Sequence, residues 1–206
     1  SDVCSSDLGY LAWLDDVLEI RETANFDIKD IDYDIRIVDS PTEVRDLIIE
    51  TNRAHNHSRI LAGYCWEWIK SGKNDSSVHD IKIDDFEMSW NLGNTTTFAI
   101  DEDSVNEVGC IHTSQGLEFD YAGVIIGDDM RFENGHIVTD FTKRAKTDQS
   151  LKGIKKLYKE NPQYALKEAD EIIKNTYRTL MTRGMKGCYV YCTDSNLAHY
   201  LRERLE

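Results

Sequence analysis

The most informative stretch of this sequence is a pair of short apolar segments joined by polar residues. Residues 108–127 have the sequence VGCIHTSQGLEFDYAGVIIG. The apolar runs at 107–112 and 121–127 are typical of central strands that are covered on both faces of a sheet. We therefore expect the polar residues between them at strand ends, where α/β folds bind ligands. Gly116 would allow a ligand to approach the backbone closely.

Outside this stretch, the chain alternates between patterns that predict helices and patterns that predict strands. Helices are predicted at residues 10–18, 41–54, 148–160, 162–180 and 196–205, and strands at residues 35–38, 59–64, 107–112, 121–127 and 188–193. The clearest helix start is Ser40-Pro41-Thr42-Glu43, which has the residues of a capping box with proline in the first turn. Alternation of this kind predicts an α/β fold with a mostly parallel sheet flanked by helices.

Three segments do not follow the alternation. Residues 1–8 are rich in Ser and Asp, and we expect them to be a non-native or disordered start to a domain that covers 9–206. Within that domain, residues 70–104 are polar and predict an irregular insertion with one strand at 96–100. Residues 128–142 predict a loop.

The charge of the chain is acidic overall but unevenly distributed. A formal net charge of −14 argues against a simple nucleic-acid-binding module, which should be basic. Between residues 143 and 159, however, seven basic residues occur with one acidic residue, Asp148. The basic residues are Lys143, Arg144, Lys146, Lys152, Lys155, Lys156 and Lys159. This run predicts either a local basic surface or an ordinary solvated helix face.

Cysteine spacing, histidine spacing and hydropathy exclude several other classes of protein. The five cysteines form no Cys-x-x-Cys pair, which favours reduced structural thiols in the cytoplasm. No apolar run approaches the roughly 20 residues that a membrane span needs. His55 and His57 have no companion ligand nearby in the sequence, so we expect no metal site.

A second informative stretch joins a predicted helix to the predicted strand at 188–193. Residues 175–187 have the sequence NTYRTLMTRGMKG, in which the helix is expected to end at Thr182-Arg183-Gly184. Arginine carries a permanent charge and a planar fork of donors that matches phosphate oxygens. Arg183 is therefore a candidate phosphate ligand. The alternative is that it pairs with acidic residues of this chain or with helix carbonyls.

Three segments together resemble one known family. They are LAGYCW at 61–66, VGCIHTSQGLEFDY at 108–121 and LMTRGMKGCY at 180–189. The second resembles motif V of superfamily-1 helicases, and Thr182-Arg183-Gly184 resembles their motif VI. The order of all three is similar to that of the Schlafen-type DNA/RNA helicase domain, and the resemblance extends over nearly the whole chain from Gly9.

The resemblance implies a RecA-like P-loop NTPase fold, specifically the second, C-terminal helicase domain, with ATP and Mg²⁺ as cofactors. Arg183 would be the catalytic arginine finger. The residues implied to face the nucleotide are Gln115, Gly116, Glu118 and Arg178. The residues implied to lie near single-stranded DNA or RNA are His112, Thr113, Ser114 and Thr182.

The sequence departs from a complete helicase in its phosphate-binding motifs. No Gly-x-x-x-x-Gly-Lys-Ser/Thr run occurs, and Ser71-Gly72-Lys73-Asn74 lacks both the upstream glycine and the hydroxyl residue after lysine. Asp128-Asp129 follows a predicted strand, but comes after motif V. We therefore expect the triphosphate to be held by an N-terminal RecA-like domain missing from this chain, and the chain alone to be inactive as an ATPase.

Two hypotheses of function follow. The first is a cytoplasmic ATP-dependent DNA/RNA helicase or translocase to which this chain contributes motif V and the arginine finger. The alternative is a non-catalytic RecA-like module for protein interaction or regulation, favoured by the acidic first part of the chain. Under the alternative, His112 is a core histidine, Glu118 and Asp120 are turn carboxylates, and Trp66 and Trp68 serve only in packing.

Overall fold

The computed structural model describes residues 5–23, 28–55, 57–66, 81–83, 86–90, 105, 107–110, 117–146, 148 and 150–206. The helices are α1 (Ser5–Val17), α2 (Pro41–His55), α3 (Ile154–Glu160), α4 (Pro162–Met181) and α5 (Ser195–Leu205). The strands are β1 (Asp34–Ile37), β2 (Ser58–Ala62), β3 (Ile81–Ile83), β4 (Phe86–Trp90), β5 (Glu107–Gly109), β6 (Phe119–Ile126), β7 (Met130–Glu133), β8 (His136–Thr139) and β9 (Gly184–Cys192). Short 3₁₀ turns cover Ile28–Asp30 and Phe141–Lys143.

Seven of the strands form one sheet in the order β1-β9-β6-β2-β5-β4-β3. All neighbours run parallel except β3 and β4, which are antiparallel. The long central pair β6 and β9 is mostly buried, as the apolar runs predict. This arrangement confirms the predicted α/β fold with a mostly parallel sheet and helices on its faces, consistent with a RecA-like domain.

Helices cover both faces of the sheet. On one face, Val44 and Ile48 of α2 belong to the same apolar cluster as Ile60 of β2. On the other face, α1, α4 and α5 pack in a cluster that contains Leu14, Tyr177 and other buried side chains. Helix α2 lies so close to β6 that a Cβ at Gly123 would be 2.5 Å from Cγ1 of Val44. Glycine at this position therefore sets how closely helix and sheet approach.

The starts of α2 and α4 lie where the sequence predicts them. The amide of Glu43 donates to Oγ of Ser40 at 3.1 Å, and the Glu43 carboxylate accepts from the amide of Asp39 at 3.2 Å. At the start of α4, Oδ1 of Asn161 accepts from the amide of Tyr164 at 3.2 Å. These side chains satisfy amide groups that have no partner within the first turn of a helix.

The predicted loop at 128–142 is wrong, because most of it is the hairpin β7–β8. Its two-residue turn is Asn134-Gly135, with φ angles of 52° and 80°. Both angles lie in the left-handed region that such hairpin turns require, and Asn-Gly is the dipeptide that most favours it. The sequence contained this signal, but only two apolar residues on each strand accompany it, so the alternation was weak.

Other boundaries also differ from the predictions. Strands β3 and β4 lie within the segment predicted as an irregular insertion, and β4 extends the main sheet; the strand expected at 96–100 lies outside the described residues. Helix α1 begins at Ser5, inside the stretch that we set apart as a non-native start. The helix predicted at 148–160 begins only at Ile154, after Gly153 with a φ of 86°.

The thiols of β9 provide a test of the packing. Cys188 and Cys192 are buried, and burial raises the pKa of each thiol well above its usual range. Because the thiolate is the reacting form, we expect iodoacetamide at about pH 8 to modify neither thiol in the folded chain and both in urea. Mass spectrometry of the peptides measures this. Equal labelling of folded and unfolded chain would contradict the structure.

Candidate nucleotide-facing edge of the sheet

The two informative sequence stretches meet at the amino ends of β6 and β9. Phe119 pairs with Gly184, and the amide of Phe119 donates to the carbonyl oxygen of Arg183 at 2.8 Å. Glu118 and Arg183 therefore lie next to each other, each just before its strand. Alongside, the amide of Asp120 donates to the carbonyl oxygen of His57, which precedes β2, at 2.8 Å.

This edge differs from the one expected of the usual α/β ligand site. Such sites lie at the carboxyl ends of strands. Glu118 and Arg183 instead lie at the amino ends, because helix α4 ends at this edge and leads directly into β9. The end of the helix, and not the end of a strand, presents Arg183.

Arg183 has an unsatisfied donor in a partly buried position. Its Nε is buried and has no hydrogen-bond partner, and no carboxylate of the described residues lies within ion-pair distance of its guanidinium. Buried polar groups in proteins nearly always have a partner. The alternative that Arg183 pairs with acidic residues therefore finds no support in the described part of the chain, and the donor is suited to an anion.

Arg178, which lies on α4 one turn before Thr182, has a partner within the chain. Its Nε lies 2.5 Å from Oδ1 of Asp15 on α1, and the Asp15 side chain is only 3% exposed. Asp15 also pairs with Arg21 at 3.0 Å. No local sequence pattern indicates this ion pair, whose partners are 163 residues apart. It holds α1 against α4, and a contact between Arg178 and a nucleotide stays a prediction.

Two tyrosine hydroxyls fix the backbone on either side of Arg183. Tyr10 donates to the carbonyl oxygen of Met181 at 2.7 Å, and Tyr33 donates to that of Gly184 at 2.8 Å. The two rings stack with centroids 4.1 Å apart. Burial raises the pKa of Tyr10, which keeps the hydroxyl protonated as a donor. Tyr10 is the first residue of the helix predicted at 10–18, and nothing in that local pattern indicates this hydrogen bond.

The remaining predicted site residues divide into two groups. Two of them are described: Thr182 and Glu118. Thr182 caps α4, and its hydroxyl donates to the carbonyl oxygen of Thr179 at 2.8 Å. Glu118 is exposed. The residues His112, Thr113, Ser114, Gln115 and Gly116 lie outside the described residues. Their roles, and that of Thr182 beside nucleic acid, stay predictions.

A buried polar network at the opposite, carboxyl edge positions α4. The hydroxyl of Tyr177 donates to Oδ1 of Asp129 and accepts from the amide of Gly127. The other oxygen of Asp129 accepts from Nε of Arg144. A Cβ at Gly63 would lie 2.0 Å from the Tyr177 hydroxyl, so only glycine leaves room for this ring. Tyr177 lies within the helix predicted at 162–180, but no local pattern indicates its partners, which are 48 and 50 residues away in the sequence.

The described residues contain neither a candidate metal site nor a candidate membrane span. Within those ranges, no three His, Cys, Asp or Glu side chains are grouped so as to hold a metal ion. In the same part of the chain, no helix combines the length and the apolar character needed to cross a bilayer.

The fold and the edge together define the class: an α/β domain of RecA-like type that presents an arginine from a helix-to-strand turn. Residues 4–194 match the model of the family described as "Schlafen group 3, DNA/RNA helicase domain". The chain therefore belongs to the Schlafen group 3 DNA/RNA helicase domain family, as the three sequence segments predicted.

The chain is also similar to an uncharacterized protein of Saccharomyces cerevisiae. The two are 29% identical over 177 residues, which cover 84% of this chain and 36% of the yeast protein. The chain thus spans about a third of the length of that relative.

The different surroundings of the two arginines predict different costs of removal. Arg178→Gln leaves the buried carboxylate of Asp15 with one partner fewer, and should lower the free energy of unfolding by about 1–3 kcal/mol. Arg183→Gln removes no ion pair among the described residues and should change it by no more than about 0.5 kcal/mol. Urea denaturation of both variants measures the difference. Equal losses would show that the ion pair with Asp15 does not stabilise the fold.

Proposed function

We propose that this chain is the second RecA-like domain of an ATP-dependent DNA or RNA helicase or translocase, with Arg183 as its arginine finger. Membership in the helicase-domain family supports the class. The single observation that carries the assignment of Arg183 is its buried Nε without a partner, at a turn that backbone hydrogen bonds and two tyrosines hold in place.

The donors at this edge suit one side of a nucleotide site. Bound ATP with Mg²⁺ supplies the phosphoryl group that is transferred to water. The loop that binds the phosphates of ATP would come from an N-terminal RecA-like domain, since this sequence contains no such loop. Arg183 would stabilise the negative charge that spreads over the phosphoryl oxygens in the transition state. Gln115, Gly116 and Glu118 would complete the surface that faces the nucleotide.

The support around Arg183 favours a catalytic use of this side chain. An arginine finger must be positioned before the reaction, because small displacements of a catalytic group reduce the rate strongly. The carbonyls of Met181 and Gly184 are fixed by Tyr10 and Tyr33. This arrangement holds the backbone on both sides of Arg183, and its guanidinium has no ion pair in the part of the chain that the structure describes.

Arg178 fits a positioning role better than direct contact with phosphate. The ion pair with Asp15 orients its guanidinium towards α1. Loss of that pair would loosen the packing of α1, which also carries Tyr10. We propose that Arg178 acts on Arg183 through this helix.

Nucleic acid would contact the segment that precedes β6. His112, Thr113 and Ser114 of the motif V segment, together with Thr182, are the residues proposed to lie along the strand. Cleft closure around ATP would then shift this domain relative to its partner and move the pair along DNA or RNA.

The test is the ATPase activity of the complete protein that joins this chain to a phosphate-binding domain. Arg183→Ala should reduce nucleic-acid-stimulated turnover by about 10³–10⁵-fold, the range typical of an arginine finger, and leave nucleotide affinity largely unchanged. Arg53→Ala, at an exposed arginine of α2, is the matched control and should retain full activity. Turnover unaffected by Arg183→Ala would reject the assignment and favour the non-catalytic interaction module.

A further inference from the structure

A second basic feature lies at the carboxyl edge of the sheet, on the opposite edge from Arg183. It is a cavity of about 470 Å³ bordered by Cys65 after β2 and by residues between β8 and α3. Its basic lining residues are Arg144, Lys146, Lys152 and Lys155. Neither informative sequence stretch contributes to it, so it is distinct from the proposed nucleotide-facing edge.

The topology of the sheet favours a ligand at this position. Strands β2 and β6 are neighbours, and the strands that follow each of them in this sheet lie on opposite sides of the pair: β9 comes after β6 on one side, and β3 to β5 come after β2 on the other. Open α/β sheets bind ligands in the crevice formed where connections diverge in this way.

Arg144 is the buried centre of the cavity wall. Its side chain is 2% exposed and forms ion pairs with Asp129 and Asp148. Asp148 also accepts from the amide and hydroxyl of Ser150 at 3.0 and 2.7 Å. These contacts fix the guanidinium plane, yet its Nη2 is buried and has no hydrogen-bond partner among the described residues. A rigid guanidinium with an unused donor is suited to a phosphate oxygen.

The single acidic residue of the basic run is thereby removed from the surface. Asp148 is buried against Arg144, whereas Lys143, Lys146, Lys152, Lys155, Lys156 and Lys159 are all exposed. We call these six lysines the lysine surface. The lysine surface continues from the cavity along α3, so it extends further than the contacts of a single phosphate group would.

An aromatic side chain lies on the same surface. Tyr158 of α3 is 42% exposed, and its ring packs against Phe141, a lining residue of the cavity, with centroids 5.7 Å apart. Lysines interleaved with an exposed aromatic ring are typical of surfaces that hold single-stranded nucleic acid, because lysines contact the backbone and the ring stacks on a base.

We infer that the lysine surface and the Arg144 cavity bind the phosphate backbone of a single-stranded nucleic acid, and that this contact is separate from the motif V segment. The choice of nucleic acid as ligand rests on the proposed function. The exposed part of the run carries positive charge on an otherwise acidic chain, so the surface also directs a polyanion to this edge.

The experiment measures binding of fluorescein-labelled oligothymidylate and oligouridylate of about 20 nucleotides to the chain, without ATP, by fluorescence anisotropy at several salt concentrations. Lys152→Gln/Lys155→Gln removes two phosphate contacts from exposed positions. On single strands each contact contributes about 0.7 to the slope of log affinity against log salt. The double variant should therefore bind about 25-fold more weakly at about 0.1 M salt, with a slope smaller by about 1.4.

Arg53→Gln/Lys82→Gln is the matched control, since both side chains are exposed and neither borders the cavity. It should bind like the unmodified chain. Thermal unfolding of all variants checks that the exposed substitutions leave the fold intact. Tyr158→Ala should weaken binding with no change in the salt slope, because stacking releases no counterions.

An unchanged affinity and slope in Lys152→Gln/Lys155→Gln would overturn the inference. A second result would also overturn it: protection of Lys152 and Lys155 from acetylation by inorganic triphosphate but not by the oligonucleotide. The site would then bind a free phosphate ligand and not a nucleic acid. Neither result affects Arg183, whose test is turnover of ATP. Conversely, full ATPase activity in Arg183→Ala beside weakened binding in the lysine variant would reject the proposed function and leave this surface in place.

Discussion

The position of helix α4 is the constraint on which both candidate sites depend. Its Tyr177 hydroxyl is enclosed by Asp129, the amide of Gly127 and the bare backbone of Gly63. The network is buried, so each polar atom in it needs its partner to avoid a cost of desolvation. Because Asp129 also holds Arg144, one carboxylate connects the helix that leads to Arg183 with the wall of the cavity at the other edge.

Two arginines five residues apart in the sequence have opposite surroundings in the fold. Arg178 is neutralised by Asp15, and this pair locks α1 onto α4. Arg183 follows the end of the helix, where the backbone is held by Tyr10 and Tyr33 but the guanidinium has no carboxylate among the described residues. The proposed arginine finger needs a fixed backbone and a guanidinium that is not already paired. A paired arginine would have to break its ion pair before it could contact a phosphate.

The two edges of the sheet carry the two proposed contacts, with the nucleotide at the amino edge and with nucleic acid at the carboxyl edge. The amino edge presents Arg183 and Glu118 at the starts of adjacent parallel strands, joined by the hydrogen bond from Phe119 to Arg183. The carboxyl edge, where ligands commonly bind in α/β sheets, holds a buried arginine and exposed lysines. An acidic chain can carry such a surface because Asp148 is withdrawn into the ion pair with Arg144.

The sequence by itself determined the class of fold and the starts of α2 and α4, and it predicted Arg183 as a phosphate ligand. These features depend on local patterns: apolar runs of strand length, capping residues, and a Thr-Arg-Gly turn between helix and strand. Only the tertiary structure decided that Arg178 pairs with Asp15, 163 residues away, that Glu118 and Arg183 lie at the amino ends of strands, and that Tyr10 and Tyr33 hold the turn. Each of these depends on how distant segments pack, and no local spacing of residues specifies that packing.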